Sequence, residues 1–255
     1  MSQRILIEQI DKIQIITINR PEARNAINYE TAQELAAAMI ALDENPDVVL
    51  AILTGAQQTF CSGMDLKDFS RTGKRPYAEG RGFGGLCEKP PMKPLIAAVE
   101  GYALAGGCEI ALACDLIIAA DNAQFGLPEV KRGLVPGAGG MLRLPSRIPY
   151  HIAMQAVLTG EMIAAQRAHG LGLVNQLTPP GRALEAALDM GRTIAANGPL
   201  AVQTAKRIIV ESRDWAQTEM FDMQRPRIAH IFTSEDAREG ATAFVEKRAP
   251  VWRGK

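Results

Sequence analysis

Three features of this 255-residue sequence predict an α/β protein. Short runs rich in β-branched and apolar residues, at 13–18, 48–53, 95–99 and 116–120, read as buried strands. Between them apolar residues recur at spacings of three and four, as at Leu35, Met39 and Leu42, the period of a helix face. Beyond about residue 178 the strand-like runs stop and nearly everything reads as helix. The sequence therefore predicts a β/α core followed by a helical tail of about 60 residues, with no exact internal repeat. Such a tail has no clear core of its own, so it must pack on the rest of the chain or on another subunit.

Composition narrows the function classes. Hydrophobic residues at 47% and charged residues at 22% describe an ordinary globular chain, long enough for one large domain or one domain with an appendage. Basic and acidic residues balance at 28 each, which argues against a nucleic-acid surface or a polybasic membrane patch and leaves room only for a local basic site for an anionic ligand. No apolar segment reaches transmembrane length. Ile5-Leu6-Ile7 is followed at once by Glu8, Asp11 and Lys12, unlike a signal peptide. Cys61, Cys87, Cys108 and Cys114 form no CxxC pair, and with three histidines no zinc cluster is expected. They read as reduced thiols of a cytoplasmic protein.

Taken in order, residues 4–9 and 13–19 predict two strands about a turn at Asp11-Lys12, and Pro21 stops the second. A loop through Asn25-Ala26-Ile27-Asn28 leads to a helix over about 29–42. The strand 48–53 ends at Thr54-Gly55. Residues 67–92, with Gly73, Gly80, Gly82, Gly84, Gly85 and three prolines, predict a mobile insertion or irregular helix that can line a pocket. The strand 95–99 precedes Gly106-Gly107-Cys108-Glu109, which opens a small-residue helix, and 116–120 is again strand. Helices are expected over 148–158 and 163–169, a short strand at 173–175, then helices over 183–196, 200–213 and 215–230 and one capped by Ser234.

Chemistry concentrates in the stretch 93–143. A glycine pair before a helix lets a ligand approach the backbone, and the N–H groups of a helix start are free to donate. Ser62-Gly63-Met64-Asp65 is a second such place. If the N–H groups of Met64 and Gly106 converge, they make an oxyanion hole; the alternative is a pair of plain tight turns. Glu109, one helical turn after Gly106, and Glu129, after Pro128, can share one water as acid and base. The alternatives are a helix N-terminal carboxylate bound to free amides for Glu109 and a solvated loop carboxylate for Glu129. Lys131-Arg132 reads as solvated or paired, and Arg143 and Arg147 as helix residues that bind phosphate or structural carboxylates. No nucleophile elbow, dinucleotide fingerprint or phosphate-binding Gly-Lys-Ser/Thr loop is present.

These motifs resemble the enoyl-CoA hydratase/isomerase (crotonase) family along nearly the whole chain. The likeness runs through Asn19-Arg20-Pro21, Phe60-Cys61-Ser62-Gly63-Met64-Asp65-Leu66, the stretch from Pro94 to Glu109, Phe125-Gly126-Leu127-Pro128-Glu129, Pro136-Gly137-Ala138-Gly139-Gly140 and the tail from Glu235 to Arg248. The resemblance implies a crotonase-like spiral of ββα units over 1–195 carrying an acyl-CoA site. It further implies a helical oligomerisation region over 196–255, assembling trimers or dimers of trimers. It implies oxyanion donors at Met64 and Gly106 and catalytic carboxylates at Glu109 and Glu129. CoA contacts are implied at Ala23, Arg24, Ala56 and Asp65, and from a neighbouring subunit at Phe244 and Lys247. No metal or redox cofactor is implied, since CoA is part of the substrate, and no nucleic-acid or membrane partner.

With both glutamates present, the resemblance points first to reversible hydration of a 2-enoyl-CoA to the 3-hydroxyacyl-CoA. Other readings are an isomerase that leans on Glu129 alone and a non-catalytic acyl-CoA binder. Met141-Leu142 departs from the Thr-Gln that many hydratases carry after the glycine pair. Leu127-Pro128-Glu129 and Leu144-Pro145 look like crotonobetainyl-CoA hydratases, so a specialised acyl group stays open.

Overall fold

The computed structural model describes residues 3–255. Strands β1 (Ile5–Ile10) and β2 (Ile13–Ile18) form an antiparallel hairpin. Helix α1 (Tyr29–Glu44) starts at Asn28, whose side chain accepts the N–H of Thr31, and buries Leu35, Met39 and Leu42 as their spacing requires. Strand β3 (Leu50–Gly55) returns parallel to β2. Helix α2 (Leu66–Thr72) and the small hairpin of β4 (Tyr77–Ala78) and β5 (Gly82–Phe83) follow. Then come β6 (Leu95–Val99), β7 (Tyr102–Leu104), α3 (Gly106–Ala113), β8 (Leu116–Ala120) and β9 (Gln124–Gly126). Helices α4 (Gly140–Arg143) and α5 (Tyr150–Thr159), strand β10 (Ile163–Ala164), helix α6 (Ala165–Gly170) and strand β11 (Gln176–Thr178) lead to four final helices. These are α7 (Ala183–Ala195), α8 (Pro199–Glu211), α9 (Met220–Phe232) and α10 (Glu235–Glu246).

The large sheet has the order β1-β2-β3-β6-β8-β11, and every pair after the first is parallel. A second sheet, β10-β9-β7, stands beside it. The chain leaves β6 through Gly101 (φ +55), where a Cβ would lie 2.2 Å from the Gln58 carbonyl oxygen, and enters β7. It leaves β8 for β9 in the same way, and Cys61, beyond β3, bridges to Ala103 of β7. The repeating step is therefore a strand in the large sheet, a strand or bridge in the small one, and a helix. That is the spiral of ββα units of the crotonase fold.

Period-two alternation divides the large sheet between two cores. Ala51, Leu53, Ala97 and Val99 face the layer of α1 and α3, while Leu50, Ile52, Ile96 and Ala98 face Ala183 and Ala187 of α7. Both faces are covered, which is why β3 and β6 are continuous apolar runs. Helices α8 and α9 bury no residue within the chain.

Several local expectations are corrected. Residues 67–92 hold α2 and the β4–β5 hairpin, with Phe83, Leu86 and Cys87 in the core, instead of an irregular insertion. Ile163 and Ala164 are strand, paired with β9, and the helix begins at Ala165. The strand expected at 173–175 falls at Gln176–Thr178, and Asn175 instead accepts the Ile117 N–H with its side chain. Residues 215–219 are not helix, and Arg147 lies past the one-turn 3-10 segment Leu144–Ser146.

Candidate active site

Two turns meet at Gly63. Ile27 and Met64 form a parallel bridge, in which the Ile27 N–H donates to the Gly63 carbonyl (2.8 Å) and the Asp65 N–H to the Ile27 carbonyl (2.9 Å). In that pattern the N–H of Met64 itself points away from Ile27. Gly106 is the first residue of α3, so its N–H has no acceptor within the helix. A Cβ placed on Gly63 (φ +99) would lie 3.1 Å from Gly106 N and 2.9 Å from Ala105 Cβ, so the two turns are in direct contact. A Cβ on Gly107 would lie 2.1 Å from the Cys61 carbonyl oxygen. Ala105 holds φ +51, ψ −128, a conformation disfavoured for any residue with a Cβ, and it sets the plane of the peptide that carries the Gly106 N–H. The ring of Phe83 packs against Gly106 from the β4–β5 hairpin and meets Tyr77 edge to face.

Arg20 supports the first of these turns. Its Nη2 donates to Asp65 Oδ2 (2.8 Å) and its Nη1 to the Ala26 carbonyl (2.5 Å), so one guanidinium grips both strands of the Ile27–Met64 bridge. Asp65 also caps α2 by accepting the Asp68 N–H (3.0 Å). Burial works to raise the Asp65 carboxyl, but the hydrogen bonds from Asp68 and Arg20 outweigh it and hold it below its ordinary range. Arg20 stands in the Asn19-Arg20-Pro21 motif, yet nothing in the spacing from 20 to 65 announces the pairing.

Glu109 is 3% exposed. Its Oε1 accepts the N–H groups of Ala138 (2.7 Å), on the glycine-rich loop before α4, and of Gly140 (2.9 Å), the first residue of α4. Burial pushes its carboxyl up to about 7; the Gly140 N–H opposes this and the charge of Glu129 adds to it. Glu129 lies in the 3-10 turn Pro128–Arg132 after β9. Its Oε2 is buried with no hydrogen-bond partner among the described residues, and burial raises its carboxyl too. One carboxyl is thus braced by backbone N–H groups, the other carries an unsatisfied oxygen, and the charge of Glu129 acts on Glu109. Lys131 and Arg132 are exposed.

The residues expected at CoA separate into two places. Arg24 and Ala56 line a hollow of about 460 Å³ together with Pro21, Asn25, Gln57, Gln58 and Thr59. Asn25 shapes it by donating to the carbonyls of Ala56 (2.9 Å) and Thr59 (2.6 Å). The Arg24 carbonyl accepts the Ser62 N–H (3.1 Å), which ties this hollow to the Met64 turn, and Ala23 lies on the short turn that precedes Arg24. Asp65 turns its carboxylate inward. Phe244 and Lys247 lie at the end of α10; Phe244 is 86% exposed, and neither joins the carboxylates or the hollow. A larger cavity of about 860 Å³, lined by Asp115, Arg143, Arg147 and α8, contains neither glutamate. Among the described residues no group of His, Cys, Asp or Glu is placed to hold a metal ion, and no helix is long and apolar enough to cross a membrane.

A buried carboxyl held by backbone N–H groups, with a second carboxyl that carries a buried unsatisfied oxygen, can chemically exchange a proton with a bound molecule. The chain belongs to the enoyl-CoA hydratase/isomerase family, whose sequence model matches residues 8–255. It is similar to the crystal structure of an enoyl-CoA hydratase from Mycobacterium marinum, with a TM-score of 0.97, 57% identity and 99% of both chains covered. It is 41% identical to an enoyl-CoA hydratase of Mycobacterium tuberculosis, over 98% of this chain and 96% of that one. It is 39% identical to a carnitinyl-CoA dehydratase of Proteus mirabilis, over the full length of both. Its chemistry is of the family's hydratase/isomerase type, on acyl-CoA substrates.

Proposed function

We propose that this protein is an enoyl-CoA hydratase, adding water reversibly to a 2-enoyl-CoA to give the 3-hydroxyacyl-CoA. The observation that carries this reading is the carboxyl pair: Glu109 with one oxygen fixed by two N–H groups, and Glu129 with a buried, unsatisfied oxygen. Two N–H donors favour the ionised form of Glu109, and an oxygen without a donor favours the protonated form of Glu129. The thioester oxygen is held by the N–H groups of Met64 and Gly106. Glu109 takes a proton from water as the water oxygen bonds to C3. The C2–C3 π electrons move toward the thioester, and the enolate oxygen is stabilised where the donors already point. Glu129 then delivers its proton to C2. Dehydration is the same path reversed, and the likeness to a carnitinyl-CoA dehydratase keeps that direction, and a quaternary-ammonium acyl group, within the proposal.

For CoA we assign Arg24 to phosphate, with Ala23, Ala56 and Asp65 bordering the same end. Helices α8 and α9, which hold no fully buried residue, and exposed Phe221, Phe232 and Phe244 support a tail over 196–255 that assembles trimers or dimers of trimers on the 1–195 core. In that assembly Phe244 and Lys247 reach the CoA of a neighbouring subunit. The four buried free thiols fit a cytoplasmic setting.

The test is incubation with crotonyl, longer linear, aromatic and crotonobetainyl thioesters of CoA in oxygen-18 water, with products read by mass spectrometry. Labelled 3-hydroxyacyl-CoA supports the proposal and names the acyl group. A double-bond isomer without label makes the protein an isomerase. Bound CoA with no product from any thioester makes it a binder.

A further inference from the structure

We propose that Arg143 is a positioning residue for Glu109: its guanidinium ties the loop that carries the Ala138 and Gly140 donors to the carbonyl of Cys87. The inference rests on the role given to Glu109 above. Both donors sit on a stretch with glycine at 137, 139 and 140, where backbone freedom is greatest and order most costly. Something must hold that stretch if two N–H groups are to meet one carboxylate oxygen. The hydrogen bond from the Arg143 N–H to the Gly139 carbonyl (2.8 Å) closes the turn locally but anchors it to nothing outside.

The side chain supplies the anchor. Arg143 Nη2 donates to the Cys87 carbonyl (2.6 Å), at the buried end of the segment that bears Phe83, and Nη1 reaches toward the Ala138 carbonyl (3.4 Å). The guanidinium meets Gly139 with its Nη1 end: a Cβ there, at φ +104, would be 2.1 Å from Nη1. Arg143 makes no ion pair among the described residues, so this half-buried cation is spent on two carbonyls. Its charge acts on Glu109 as well. Glu109 is faced by Glu129 from the turn after β9, by Arg143 from α4, by Tyr77 of β4, by Cys87 and by Cys108 of its own helix. Arg143 is the cation of that set, and it lowers the carboxyl that burial and Glu129 raise. One fork thus does two things to Glu109, fixing the donors and offsetting the repulsion.

The experiment separates the two effects and needs no substrate for its main readouts. Carbon-13 glutamate labelling, with E109Q to assign the signal, gives the Glu109 titration in wild type, R143M and R143K. Amide hydrogen exchange at Ala138 and Gly140 reports the loop. In R143M the Glu109 midpoint moves up by about one pH unit and exchange at both amides quickens about tenfold. R143K keeps the midpoint near the wild-type value but, lacking the fork, shows the faster exchange. In turnover, the acid limb of kcat/KM follows the midpoint, and kcat falls more than KM rises. An unmoved Glu109 midpoint in R143M, or unchanged exchange in R143K, overturns the proposal. If R143M does not fold, R143Q replaces it with the same expectation; if neither folds, the R143K exchange result decides. Wild type that makes no labelled product refutes the hydratase reading and leaves these readouts standing.

Discussion

Arg20 Nη2 and Asp65 Oδ2 lie 2.8 Å apart, with the side chains only 14% and 12% exposed, and this ion pair brackets Met64. One arm of the guanidinium holds Ala26, which leads into the strand that pairs with Met64, and the other holds the residue just after it. R20M strands a nearly buried carboxylate and is expected to cost about 3 kcal/mol in denaturant unfolding. It is also expected to lower kcat more than it raises KM, because the Met64 N–H loses its aim. D65N, which keeps an oxygen for the α2 cap, is expected to cost less. A full wild-type kcat in R20M would separate the pair from the oxyanion turn.

Gly106 and Gly107 are adjacent, but adding a methyl group to each has different consequences. At Gly107 the new carbon meets the Cys61 carbonyl, which is backbone and cannot yield; at Gly106 it meets the Phe83 ring, which is a side chain. G107A is expected to cost about 3 kcal/mol in stability and G106A about 1 kcal/mol. G106A is expected to lose about a hundredfold in kcat as the donor shifts. A G106A enzyme within about threefold of wild type would remove Gly106 from the oxyanion hole.

The Glu109 carboxyl, pushed up to about 7 from an ordinary value near 4.5, makes stability depend on pH in a defined direction. A raised carboxyl contributes its full stability below the unfolded value and loses it as pH rises through the folded one. Between pH 5 and pH 8 wild type is therefore expected to lose about 3 kcal/mol relative to E109Q, other groups cancelling in the difference. Urea unfolding of both proteins at the two pH values measures this. A difference that does not change with pH would mean Glu109 titrates as an exposed acid.

E109Q keeps an oxygen for the Ala138 and Gly140 N–H groups, so its fold and CoA affinity should survive while kcat falls by about 10² to 10⁴. E129Q is expected to fall by a similar factor of about 10² to 10⁴. An E109Q enzyme that retains double-bond migration would identify the Glu129-only chemistry of an isomerase. In wild type, kcat/KM should rise with pH through about 7 as Glu109 ionises.

The large sheet was readable because its strands are buried on both faces, which leaves unbroken runs such as 95–99. β7 and β9 were not, since three residues of Tyr102-Ala103-Leu104 or Gln124-Phe125-Gly126 carry no usable period. The 67–92 segment misled because its glycines read as freedom, whereas Gly85 is glycine to let α1 come close, and Phe83 of the same segment packs on Gly106. Glu109 and Glu129 stood out as acids in apolar company. Arg20 and Ala138 did not, and Arg143 stood out for a phosphate or carboxylate and not for the Cys87 carbonyl it meets, because these partners lie 45, 29 and 56 residues away and only the folded chain brings them together.

Glu109 hangs from two peptide N–H groups and not from side chains. Ala138 is buried, and a Cβ at 140 would lie 3.0 Å from Leu127 and 3.1 Å from Glu109 Oε1, so both positions favour small residues. The donors thus belong to the backbone, and the Arg143 side chain ties that backbone to the Cys87 carbonyl. Met141 and Leu142, on the next turn, are exposed, so they can change without removing those donors.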